Sequence, residues 1–266
     1  MTGNSSVLLT YVFPTIGCVI SLLTFSSSFV AVLQVRRTKR LGELNPIPYT
    51  GILGLTSGQV IYGSLIKNWF VFFANAPGLL IGLWLILSTI PHATPKVQNV
   101  MTAVIMILAM YYSVVALVTT HLEVSTEKRN TIWGFAAAVS LVFFYTGPLS
   151  TLVKVVKHKD SSSLNPPFAI MVFINVVMWL SYGLAIKNPF IWVPETIGGA
   201  LSTTALVLMM IFPRREVIRE RERLRQESLA QSANNLETPA ADDSSQAASA
   251  DVQLATDMHR AYLSRP

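Results

Sequence analysis

The chain has 266 residues, 52% of them hydrophobic and only 13% charged, and a formal net charge of +6. A soluble domain carries about 25% charged residues, so this composition excludes an ordinary soluble globule and points to a membrane protein. The surplus of Lys and Arg is spread over loops and a tail instead of one patch, which argues against a nucleic-acid partner.

Residues 1–6 are a short N-terminal stretch, expected to be extracytoplasmic, that contains the glycosylation-type triplet Asn4-Ser5-Ser6. From Val7 to Val35 there is no Asp, Glu, Lys, Arg or His. About 20 such residues cross the hydrocarbon core. A signal peptide is shorter and is not followed by six further apolar blocks, so this first block reads as retained. Seven blocks predict seven membrane helices, near 7–35, 46–66, 69–90, 99–120, 132–153, 165–186 and 189–212. Cys18, in the first block, is the only cysteine. It excludes an intrachain disulfide and reads as a small packing residue. Pro46 and Pro48 open the second block, Pro77 lies in the third, Pro148 in the fifth, Pro166 and Pro167 open the sixth, and Pro194 lies in the seventh. A proline within a helix removes a backbone bond and makes a kink or hinge. After Pro213 the composition changes. Arg214 to Glu227 is charged and free of Gly and Pro, a short surface helix or a solvated flank; beyond it there is too little apolar surface to fold.

All but four of the 20 Lys and Arg residues (Lys67, Lys128, Arg129 and Lys187) fall on one side of these blocks. The positive-inside rule makes that side cytoplasmic, with the N-terminus extracytoplasmic and the C-terminus cytoplasmic.

Residues 62–70, Tyr-Gly-Ser-Leu-Ile-Lys-Asn-Trp-Phe, return as 182–190, Tyr-Gly-Leu-Ala-Ile-Lys-Asn-Pro-Phe, at an offset of 120. The same offset superposes Leu44-Asn45-Pro46 on Leu164-Asn165-Pro166, Lys39 on Lys159, and Gly78 on Gly198. Seven spans with one unit occurring twice predict an all-α transmembrane fold: two parallel three-helix repeats joined by a linker helix, 3+1+3. The first repeat is placed at 7–90, the linker at 99–120, the second repeat at 132–213, and the tail at 214–266. The loops are too short to hold a domain, so the site is expected among the spans.

Asn75 in the third span has Glu195 in the seventh as its repeat mate, and Gln59 in the second pairs with Trp179 in the sixth. Amides and carboxylates bond hydroxyls, and an indole face stacks on the C–H surface of a sugar. An ionisable group within a span is a functional candidate, because burying it costs a few kcal/mol or more. The competing reading for each is structural: an interhelical hydrogen bond for Asn75 and Gln59, ordinary packing for Trp179, contact with water or a tyrosine for Glu195. The four histidines, His92, His121, His158 and His259, lie in loops or the tail, and there is no nucleotide-binding glycine loop and no Gly-x-Ser-x-Gly. No metal, cofactor or enzymatic activity is therefore expected.

Residues 7–213 resemble the SWEET sugar transporter family, within the wider PQ-loop and SWEET superfamily. The resemblance rests on Pro48-Tyr49, Asn75 with Gly78, Gly147-Pro148-Leu149, Asn175…Trp179…Tyr182-Gly183, and Asn188-Pro189-Phe190…Pro194, in order and on a repeat. It implies bidirectional, facilitated (uniport) movement of a mono- or disaccharide without ATP. It also implies a central pocket lined by Asn75, Trp179 and the positions of Gln59 and Glu195, with Tyr62, Tyr182 and Asn188 as gating residues. The family's hinge prolines correspond here to Ser28, Pro48, Pro148 and Asn165, the last followed by Pro166 and Pro167. Three positions depart from the family pattern: Ser28 replaces a proline, Glu195 replaces an asparagine, and Gln59 replaces a smaller residue. The plasma membrane is the expected location, an endomembrane the other, and homo-oligomer formation is compatible with the reading. Two other functions stand beside it: a proton-coupled transporter of amino acids or related solutes using Glu195, and a seven-span receptor suggested by Asn45-Pro46-Ile47-Pro48-Tyr49. The chain contains no Pro-Gln dipeptide, and a receptor has no 120-residue repeat.

Overall fold

Long apolar runs with few breakers dictate helices, and the computed structural model is helical throughout the residues it describes: 7–42, 44–121, 124–212, 214–215 and 222–231. The chain divides into residues 1–213 and residues 214–266. In the first unit a π-turn, Leu8–Val12, leads into α1 (Phe13–Ser26). There follow α2 (Phe29–Thr38), α3 (Ile47–Leu65), α4 (Trp69–Thr89) and α5 (Pro95–His121). The second part holds α6 (Thr126–Phe144), α7 (Thr146–His158), α8 (Pro166–Ala185) and α9 (Pro189–Ile211).

Among the described residues, six segments are long and apolar enough to cross a membrane: 8–38, 69–92, 95–121, 126–158, 166–185 and 189–211. The expected second span also forms a helix, α3, but is not among the six. It is rich in Gly, Ser and Thr and carries Gln59, which lowers its hydropathy. The reason is its position. Nine of its 19 residues are buried, among them Thr50, Thr56, Gln59 and Tyr62, so it faces protein more than lipid. The first and fifth blocks are each two helices. They break at Ser27-Ser28 and at Tyr145, respectively.

Local chemistry explains the ends. Asn68, Asn165 and Asn188 each accept a backbone N–H with their side chains and so start α4, α8 and α9. Such a cap contributes about 1 kcal/mol. Lys39, Lys67, Lys159 and Lys187 all adopt left-handed backbone, with φ of 58°, 55°, 50° and 56°. They are two pairs at the 120-residue offset, each reversing the chain after a helix. After Lys67 and Lys187, the Asn68 and Asn188 N–H groups return to the Gly63 and Gly183 carbonyls at 2.8 and 2.9 Å. This is the bonding of a Schellman turn.

The repeat is visible in packing. In the first half α4 lies against α1, α2 and α3; in the second, α9 lies against α6, α7 and α8. Between halves, α1 packs on α8 and α3 packs on α6. The 120-residue offset exchanges those two contacts. Helix α5 touches α3 and α6, and its Tyr112 hydroxyl lies 2.7 Å from the Gly54 carbonyl and 2.8 Å from Ser140 Oγ, tying all three together. At the α3–α6 crossing, a Cβ on Gly58 would lie 3.0 Å from the Ala137 backbone. Close backbone approach through small residues is how membrane helices gain packing energy where lipid supplies no hydrophobic drive.

The core is uneven along the helices. One buried cluster, including Tyr62, Val71, Ala137, Trp179 and Tyr182, joins both halves. Toward the other helix ends the clusters separate. Val32, Tyr49, Leu85, Ile86 and Met101 form one wholly within the first half and α5; Leu152, Val155 and Leu208 form another within the second half.

In the second unit, residues 222–231 are helical and exposed, with an Arg223–Glu227 ion pair of 3.0 Å. The expectations for residues 1–6, with the Asn4 triplet, and for residues 232–266 lie outside the described residues.

Candidate functional site: a Tyr–Asn closure and the polar positions beneath it

The repeated Tyr and Asn residues meet across the halves. Tyr62 ends α3 and Asn188 starts α9; the Asn188 amide faces the Tyr62 hydroxyl through Oδ1 at 3.0 Å and Nδ2 at 2.8 Å. Reciprocally, Asn68 Nδ2 donates to the Tyr182 hydroxyl at 2.7 Å. Both tyrosines are buried, at 3% and 5% exposure, so these bonds sit where water competes little. Phe190 lies edge-on to Tyr62 and Phe70 edge-on to Tyr182, at 5.9 Å in each case. The three residues expected at a gate are thus brought together. Asn68 completes the set, and reading the offset back from Asn188 would have found it.

The four candidate binding residues lie on the helices below this closure. Asn75, half-buried on α4, turns its amide back to the Val71 carbonyl at 2.9 Å. That leaves Oδ1 without a protein partner among the described residues. Glu195, half-buried on α9, adjoins the inward stripe Ile191, Pro194, Gly198 and Ser202. Its carboxylate has neither a hydrogen bond nor an ion pair among the described residues. Gln59 is buried, and its amide likewise has no protein partner there.

Trp179 is different. Its indole lies on Gly17 of α1, and its Nε1 donates to Ser21 Oγ at 3.2 Å. Ser21 Oγ in turn donates to Asn175 Oδ1 at 3.1 Å. Trp179 is therefore a strut between α1 and α8 in this conformation, with its polar edge already satisfied. Ser21 was not a candidate; its hydroxyl could have been found only from the crossing of α1 and α8. Cys18 packs beside the closure, with Sγ 3.5 Å from the Phe70 carbonyl.

The hinge candidates divide in two. Ser28 lies in the break between α1 and α2, and Pro148 follows the break at Tyr145 by one turn. Pro48, Pro166 and Pro167 occupy the first turns of α3 and α8, where a missing N–H leaves no intrahelical bond unmade. Among the described residues no group of His, Cys, Asp and Glu could hold a metal ion.

The arrangement is a reciprocal set of side-chain bonds between the halves; on the helices that lead from it, the polar side chains of Gln59, Asn75 and Glu195 lack hydrogen bonds to other helices among the described residues. Comparison with known proteins agrees. Residues 131–217 match the family model described as a sugar efflux transporter for intercellular exchange. The chain is 26% identical over 202 residues to a sugar transporter SWEET1 of Drosophila pseudoobscura pseudoobscura, covering 76% of this chain and 88% of that one. It is 27% identical over 197 residues to a bidirectional sugar transporter SWEET7 of Arabidopsis thaliana, covering 73% and 76%. With a SWEET16 of Oryza sativa subsp. japonica the identity is 30% over 205 residues, covering 75% and 61%. A solved eukaryotic SWEET transporter shares the fold, with a TM-score of 0.66, 18% identity, and coverage of 74% of this chain and 94% of that one. The relatives carry transporter names, not enzyme names, and the comparisons favour neither the amino-acid transporter nor the receptor. The chain is a multi-pass membrane protein, and family model, relatives and fold agree on one kinship, with the SWEET sugar transporters.

Proposed function

We propose that this protein moves a mono- or disaccharide across a membrane by facilitated, bidirectional uniport. The seven helices act as 3+1+3, with α5 as the linker, and the two three-helix halves rock about a site between them. Asn75, Gln59, Glu195 and Trp179 bind substrate in this scheme; Trp179 does so once the halves shift and its bond to Ser21 loosens. Tyr62, Tyr182 and Asn188, with Asn68, close the extracytoplasmic end. Ser28 and Pro148 serve as hinges at helix breaks; Pro48, Pro166 and Pro167 stiffen the helix starts beside them. The basic loops lie in the cytoplasm and the protein works in the plasma membrane.

The observation that carries this reading is the reciprocal pair Tyr62–Asn188 and Asn68–Tyr182, set against separate cores at the other helix ends. Alternating access requires a closure that forms at one end at a time, and this pair supports one at the Tyr–Asn end. Radiotracer uptake in transport-null cells, with a panel of sugars and amino acids, tests it. Saturable sugar uptake that runs in both directions and reaches only equilibrium is the expected result. Uphill accumulation of an amino acid, with no sugar movement, overturns it.

A further inference from the structure

The two halves are not equivalent at the site. In the first half, Phe25 of α1 packs on Gly78, one turn beyond Asn75 on α4. In the second, Tyr145 packs its hydroxyl end on Gly198, one turn beyond Glu195 on α9. The offset of 120 maps Phe25 to Tyr145, Asn75 to Glu195 and Gly78 to Gly198. One half therefore presents a phenyl ring and an amide where the other presents a phenol and a carboxyl.

Residues three apart on a helix share a face, so the Tyr145 hydroxyl, lying on Gly198, is on the face of α9 that carries Glu195. Among the described residues the Tyr145 hydroxyl donates no hydrogen bond, and no Lys or Arg pairs with Glu195; the one salt bridge there is Arg223–Glu227. An ionised carboxylate is acceptor-only, and a phenol oxygen also accepts. An ammonium has three donors and no acceptor, and it removes the cost of an unpaired carboxylate in a membrane. A neutral hydroxyl does neither as well, because charge-assisted bonds are roughly twice as strong as neutral ones.

Resting on the sugar-transport reading, we infer that Tyr145 and Glu195 form an ammonium subsite and that the protein prefers amino sugars to neutral sugars of the same size. Asn75 and Gln59 serve the hydroxyl-bearing remainder of the ring.

The full-length protein in proteoliposomes, loaded with unlabelled sugar, is given labelled glucosamine, N-acetylglucosamine or glucose near neutral pH. N-acetylation keeps the ring and removes the charge, so the ratio of glucosamine to N-acetylglucosamine counterflow reads the subsite. The expected wild-type ratio well exceeds unity and falls about tenfold in Glu195→Gln, as a charge-assisted contact becomes neutral. In Tyr145→Phe it falls about threefold, one hydrogen bond's worth. Phe already occupies the equivalent place at residue 25, so the second variant keeps the packing. A wild-type ratio at or below unity while glucose still exchanges overturns the subsite alone, as does a ratio that neither variant changes. No exchange of any of the three sugars overturns the transport reading and the subsite with it.

Discussion

In the proposed site, Asn75 is the residue on which the neutral part depends. Its Oδ1 has no protein partner among the described residues, and its Nδ2 is held by its own helix. Truncation removes the acceptor without opening a core cavity. Asn75→Ala is expected to cost about 1–3 kcal/mol of substrate interaction, a fall of about fivefold or more in sugar uptake at equal surface level. Uptake within twofold of wild type would take Asn75 out of the site. Gly58 poses a different constraint. Gly58→Val would drive a side chain against Tyr112 and the Ala137 backbone, where Cβ contacts already fall at 3.0 Å or less. A loss of about 1–3 kcal/mol in stability is expected. It would be read as a lowered thermal midpoint in detergent.

At the scale of elements, the closure is made by two helix ends and two helix starts. Asn188 also caps α9 through the Phe190 N–H at 3.0 Å, so removing it would confound gate and fold. Tyr62→Phe removes only the hydroxyl's contact with Asn188, which the proposed function assigns to the gate. Each such bond is worth about 1 kcal/mol net, which shifts a closed–open equilibrium roughly fivefold. Cys18, the sole cysteine, packs at the closure and reports on it. Tyr62→Phe is expected to speed labelling of Cys18 by a membrane-impermeant maleimide about fivefold. An unchanged rate would mean that the tyrosine–asparagine bonds do not hold this end shut.

For the whole molecule, two predictions separate its parts. A chain ending at Glu227 should keep its apparent sugar affinity, because the segment beyond is too poor in apolar residues to form a core of its own. A collapse of affinity in a truncated protein that still reaches the membrane would make the tail a plug. Glu195→Gln keeps an acceptor oxygen and similar volume. Appreciable sugar uptake should persist in it, and an imposed pH gradient should drive no accumulation in either protein. Uphill accumulation in the wild type that vanishes in Glu195→Gln would replace the uniporter with a proton-coupled carrier.

Length, apolar blocks and the 120-residue offset were enough to establish a helical membrane protein with a doubled unit. These are one-dimensional signals: a bilayer imposes a minimum apolar length, and a repeat is a matter of order. The Tyr-Gly-x-x-Ile-Lys-Asn repeat was legible for the same reason; that its asparagines cap helices and its lysines reverse the chain emerged from the structure. The apolar block at 46–66 marked the helix α3, but that Thr50, Thr56 and Gln59 on it are buried against protein follows from its packing between other helices. The chain order likewise gave no sign that Trp179 bonds Ser21, that Tyr62 meets Asn188, or that Tyr145 reaches over Gly198 beside Glu195. Those pairs lie 158, 126 and 53 residues apart, and only the crossing of helices brings them within bonding or packing distance.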